Sequence, residues 1–192
     1  MTFWGWHDGV EGWDFDAVEG KELIVDIYSP ADSVKLYLNG ELLGEKALTE
    51  LKADFVVPYK KGELKAIDSN GGEVTLASSK APAGLKLTAD RTEIGADGDL
   101  SYVTVEITDE DGKTVTNAAD KIYFSVEGAG RLIAAGSSNP KTEEKYSGNS
   151  HSAYDGRLMA VVKSTGAGGI ILNAIADGLK KAEVALTAVR AE

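Results

Sequence analysis

The sequence contains no cysteine, which excludes a disulfide framework and any thiolate metal site. Proline is scarce at 4 residues, and no apolar run approaches the ~20 residues that a membrane-spanning helix needs. The start, Met1-Thr2-Phe3-Trp4-Gly5-Trp6, has neither the basic nor the apolar segment of a secretory leader, so no targeting signal is visible, and Met1 is expected to mark an expression boundary. Positive charge is in deficit: 20 Lys and Arg stand against 31 Asp and Glu, for a net charge of −11. A polyanion or an anionic bilayer would be repelled over most of the surface, so neither nucleic acid nor a membrane is an expected partner. A neutral polysaccharide meets no such penalty, although acidity serves solubility equally well. Sustained helical periodicity is missing too. Only Ala47 to Ala53 reads as a single turn of helix.

What is present is β punctuation. The 22 glycines recur in short polar clusters between runs of Val, Ile, Leu, Tyr and Thr. Leu23 to Tyr28 is β-branched and aromatic, and Ser33 to Leu38 alternates so that Val34, Leu36 and Leu38 share a buried face. Asn39-Gly40 follows, a two-residue hairpin signal because both central positions of a type I′ turn need positive φ. Further short strands are expected at Asp54–Val57, Leu64–Asp68 and Glu73–Ala77. Ser78 to Gly84 has the composition of a linker, which places one domain at residues 1–82 and another at 83–192. In the second, Tyr102 to Thr108 puts Val103, Val105 and Ile107 on one face, and about seven short strands fit an immunoglobulin-like sandwich. The expected fold class is all-β, two consecutive antiparallel immunoglobulin-like β-sandwiches.

Several stretches resemble one family. Trp4-Gly5-Trp6, Leu23 to Ser29 and the hairpin Val34 to Gly44 are similar to the region after the catalytic barrel of bacterial family-2 glycoside hydrolases, which repeats a "VELFLNGKSLG"-like hairpin. Phe55 to Tyr59 and Gly62 to Ala66 resemble that family's "VPY-x-x-GEL-x-A" stretch, and Asp90-Arg91, Asp99 to Val105, Gly128 to Leu132 and Ala153 to Leu158 resemble its C-terminal immunoglobulin-like domain. One departure is Gly136-Ser137-Ser138-Asn139-Pro140, where the family often carries an Asn-Gly-Asp-Pro-like loop. The resemblance implies a β-galactosidase-like parent, exported to the periplasm or outside a bacterial cell, that hydrolyses with retention through two Glu on a (β/α)8 barrel. Such a barrel takes about 250 residues and alternating strands and helices, so no catalytic residue, metal or cofactor is assigned within these 192 residues.

The expected role is then a non-catalytic accessory region whose partner is its own barrel. All three tryptophans, Trp4, Trp6 and Trp13, fall near the start, and exposed indoles would stack on the CH faces of a sugar ring. They are therefore the candidate carbohydrate site, with an oligo- or polysaccharide as ligand; packing under the sandwich or against the barrel is the commoner use of such rings. A third class, a bacterial surface adhesion module, is permitted by fold alone. Asp97-Gly98-Asp99 and Asp109 to Gly112 read as hairpin turns rather than calcium loops, His7 and His151 lack a nucleophile context, and Gly128-Ala129-Gly130 reads as a bulge or tight turn.

Overall fold

The computed structural model describes residues 9, 11–15 and 19–190, and among them there is no helix. The chain divides into two compact units, Met1–Ser78 and Ser79–Glu192.

The first unit holds β1 (Glu22–Tyr28), β2 (Ser33–Leu38), β3 (Glu41–Ala47), β4 (Lys52–Pro58), β5 (Glu63–Asp68) and β6 (Glu73–Ala77). β1 and β4 form a two-stranded sheet, and the others form a four-stranded sheet ordered β3-β2-β5-β6, every pair antiparallel. The period-2 alternation of β2 does what its sequence dictates: Val34, Leu36 and Leu38 are buried, in one cluster with Ala53, Phe55 and Val57 of β4. Burying each of the Val, Leu and Phe side chains contributes roughly 1.5–3 kcal/mol. Asn39 and Gly40 have φ of 52° and 81°, the positive pair a type I′ turn demands.

The turn of helix expected within residues 47–53 is absent. Thr49 and Lys52 exchange two backbone hydrogen bonds of 2.8 and 3.0 Å around Glu50 and Leu51, whose φ values are 51° and 67°. This is a two-residue hairpin turn built from residues with no preference for left-handed backbone. It carries the chain from the edge of one sheet into the other, and the pairing overrides local propensity.

The second unit holds β7 (Gly84–Ala89), β8 (Glu93–Gly95), β9 (Leu100–Thr108), β10 (Lys121–Gly128), β11 (Gly130–Gly136), β12 (Ser150–Ser152), β13 (Arg157–Ser164), β14 (Gly168–Ile175) and β15 (Ala182–Val189). One sheet is ordered β11-β13-β9-β7 and the facing one β12-β10-β14-β15-β8. Setting β8 and β12 aside, those orders are the A-B-E-D and C-F-G sheets of an immunoglobulin-type sandwich. β8 and β12 are the strands beyond the expected seven, and β8 departs from the antiparallel expectation by running parallel to β15, Ile94 opposite Ala188. Val103, Val105 and Ile107 of β9 are fully buried, facing Ile122, Phe124, Ile170 and Leu172 of the opposite sheet in one cluster.

Candidate functional site

Trp13 is the described member of the tryptophan group, and its side chain is 2% exposed. Its indole Nε1 donates to the Lys60 carbonyl at 2.9 Å. Its ring stands edge-on to Phe15 at 6.2 Å and to Tyr59 at 5.2 Å, and Phe15 N donates to the Tyr59 hydroxyl at 3.2 Å. A polar segment is thereby pinned to the end of β4 by three interlocking rings. A sugar needs a free aromatic face to stack on, and Trp13 has none, so its role here is packing. Trp4, Trp6 and His7 lie outside the described residues.

Beside this cluster runs an apolar groove of about 640 Å³. It is lined by Trp13 and Phe15, by Leu23, Val25 and Ile27 of β1, and by Leu64 and Leu76 of β5 and β6. Leu23, Val25 and Ile27 of β1 are only half-buried, in a sheet of two strands against one of four. Glu11 and Asp26 are the acids lining it, and Asp26 is paired with Lys52 at 3.0 Å. The groove offers apolar contact. A retaining glycosidase instead needs two carboxyl groups flanking the scissile bond about 5–5.5 Å apart, one of them kept protonated.

The acidic turns are occupied by the protein's own donors. Asp99 accepts from Gly95 N, Leu100 N and both Arg91 Nη atoms at 2.7–3.2 Å. Those donors, Gly95 N foremost and then Arg91, hold its carboxyl down to about 2. Asp109 accepts from Lys80 N, Asp111 N and Lys113 N, which lowers it in the same sense. Both are turn-fixing carboxylates. Among the described residues no three His, Asp or Glu are grouped so as to hold a metal ion.

His151 is fully buried on β12, opposite Ile122. Its Nδ1 lies 2.9 Å from the Ser152 carbonyl oxygen and 3.4 Å from Glu144, and its ring stacks on Tyr146 at 5.6 Å. Neighbouring Ser150 and Ser152 point the opposite way, as strand residues must. Sequence reasoning missed the Glu144–His151–Tyr146 group, because it is assembled by the long connection between β11 and β12 and no periodicity marks it. Gly128 has φ of 85° and abuts the Gly169 carbonyl, so Gly128-Ala129-Gly130 is a tight turn between β10 and β11.

Residues 85–185 match the glycoside hydrolase family 2 C-terminal domain 5, and residues 20–76 match a domain of unknown function, DUF4982. The chain is 32% identical over 169 residues to a β-galactosidase, BoGH2A, of Bacteroides ovatus, covering 84% of this chain and 20% of that protein. A putative β-glucuronidase of Formosa agariphila is 28% identical over 131 residues, 64% of this chain and 13% of its own length. A solved family-2 glycosyl hydrolase from Bacteroides cellulosilyticus superposes with a TM-score of 0.86 at 37% identity, over 94% of this chain and 24% of that one. The chain thus spans a quarter or less of each of these three proteins. With both units β-sandwiches and the match to domain 5 covering more than half its residues, the chain belongs to glycoside hydrolase family 2 and is a C-terminal part of such an enzyme.

Proposed function

We propose that these two sandwiches are a non-catalytic accessory region of a retaining β-galactosidase-type enzyme, packing on its barrel and shaping the approach of substrate without turnover of their own. The observation that carries the reading is architectural: the described residues form β-sandwiches with no helix, whereas the catalytic barrel of such enzymes alternates eight strands with eight helices. The galactoside assignment leans on the Bacteroides ovatus relative, which is named a β-galactosidase. An exported bacterial enzyme, in the periplasm or outside the cell, completes the proposal.

The direct test is hydrolysis of chromogenic β-galactosides and β-glucuronides by the purified chain. Background rates are expected for both, and turnover above background would overturn the accessory role. Binding without turnover is tested by titrating tryptophan emission with galactosides and plant polysaccharides. A ligand-dependent change in emission would favour a binding role. The accessory reading expects none.

A further inference from the structure

The sequence carries two Asn-Gly dipeptides, Asn39-Gly40 and Asn70-Gly71. Both lie in exposed hairpin turns, yet their side chains are held differently. Asn39 is clamped: its Nδ2 donates to the Lys61 carbonyl at 3.1 Å, its Oδ1 accepts from Glu63 N at 2.8 Å, and Gly62 packs directly on the amide. Asn70 sits in the connection between β5 and β6. Its backbone N–H donates to Asp68 Oδ1 at 2.9 Å, but its side-chain amide has no partner among the described residues. Asp68 also fixes Gly72 N at 2.8 Å. Between these two anchored amides, Gly71 N donates to the Asp68 carbonyl at 3.1 Å and, more weakly, faces the Asp68 carboxylate. Around Gly71 there is open space, with nothing within 4 Å of where a Cβ would sit.

We propose that Asn70 is a site of spontaneous deamidation and isoaspartate formation, and that the fold protects Asn39 in the same dipeptide. The backbone nitrogen of Gly71, after giving its proton to solvent base, attacks Cγ of Asn70. The new N–Cγ bond closes a five-membered succinimide as the Cγ–Nδ2 bond breaks, and ammonia leaves with a proton taken from water. Water then adds to either ring carbonyl, leaving aspartate or isoaspartate at position 70. Glycine is the residue that permits this, since it puts no Cβ in the way of the closing ring and its φ is free to change. At Asn39 the same closure requires breaking both side-chain hydrogen bonds and displacing the amide from Gly62. Losing two such bonds slows the reaction about tenfold or more. The product adds a second carboxylate two residues from Asp68, and isoaspartate adds a methylene to the main chain of the connection that sets the β5–β6 register.

Trypsin separates the two sites, because Asn70 falls in the peptide 66–80 and Asn39 in the peptide 36–46. The purified chain is aged in mildly alkaline buffer, digested, and read by mass spectrometry together with isoaspartyl methyltransferase labelling. The expected result is deamidation and methyl-accepting isoaspartate in peptide 66–80 at about ten times the rate in peptide 36–46 or more. Ageing in urea should bring the two rates together, and Asn70→Gln should silence peptide 66–80. Equal rates in the folded chain, or faster conversion at Asn39, would overturn the assignment.

Discussion

The indole of Trp13 stands edge-on to the ring of Tyr59, centroids 5.2 Å apart and planes at 61°, while its N–H reaches past to the Lys60 carbonyl. The geometry couples a large apolar burial to one directed bond, and the two contributions separate by substitution. Trp13→Phe keeps most of the packing and loses the bond, at about 1 kcal/mol. Trp13→Ala empties the site and is expected to destabilise the first unit by about 3–5 kcal/mol. Urea unfolding followed by far-UV circular dichroism checks the order, since it does not depend on the residue being replaced. Equal losses for the two variants would mean that the rings do not carry the stability of this corner.

What the sequence disclosed and what it hid follow from period and distance. Val103, Val105 and Ile107 are legible because alternation over a nine-residue strand leaves one face to bury. β8 and β12, at three residues each, are too short to show any period. The parallel register of Ile94 on Ala188 joins segments at opposite ends of the second unit, which no local pattern announces. Trp13 is hidden by the same kind of distance. Its partner Lys60 lies 47 residues away, and a tryptophan among Gly, Asp and Glu looks the same in sequence whether it is a binding platform or a core residue.

Asp99 makes the stability of the second unit depend on acid. The Gly95 amide and the Arg91 guanidinium hold its carboxyl down, from the ordinary 3.8 to about 2. A carboxylate with a lowered folded value stabilises the protein fully above the unfolded value, and that contribution is lost as pH falls through the folded one. The wild type should therefore be more stable than Asp99→Asn above about pH 4, with the gap closing towards pH 2. Calorimetric melting of both proteins across that range checks it. A gap that is independent of pH would assign the effect to shape rather than charge.

Gly128 tests the backbone of the β10–β11 turn. Its φ is 85°, and a Cβ there would run into the Gly169 carbonyl on the neighbouring strand β14, a group that cannot swing aside as a side chain would. Gly128→Ala should destabilise the second unit by at least about 1 kcal/mol. Gly112→Ala is the matched control. Its φ of 81° is equally positive but the space around it is open, so it should cost only the backbone strain. Chemical unfolding of the pair, read by near-UV circular dichroism, is expected to rank Gly128→Ala as the worse by a clear margin.

Glu50 and Leu51 point to a gain rather than a loss. Both occupy left-handed backbone in the β3–β4 turn, where an L side chain brings its Cβ too close to the following carbonyl at about 1–2 kcal/mol per residue. Leu51 is 61% exposed, so little burial is forfeited by removing its side chain. Asn39-Gly40 shows the same chain making the same turn with residues suited to it. The double substitution Glu50→Asn with Leu51→Gly should then stabilise the first unit by roughly 1 kcal/mol, the relief of strain being partly offset by the greater freedom of glycine in the unfolded chain. Tryptophan emission during urea unfolding isolates the effect, because Trp13 lies in the core of the first unit and the sequence has no tryptophan beyond it. A shift of the midpoint to lower urea would mean that the Glu50–Leu51 turn is held by contacts of its side chains, and that its backbone is not the strained element.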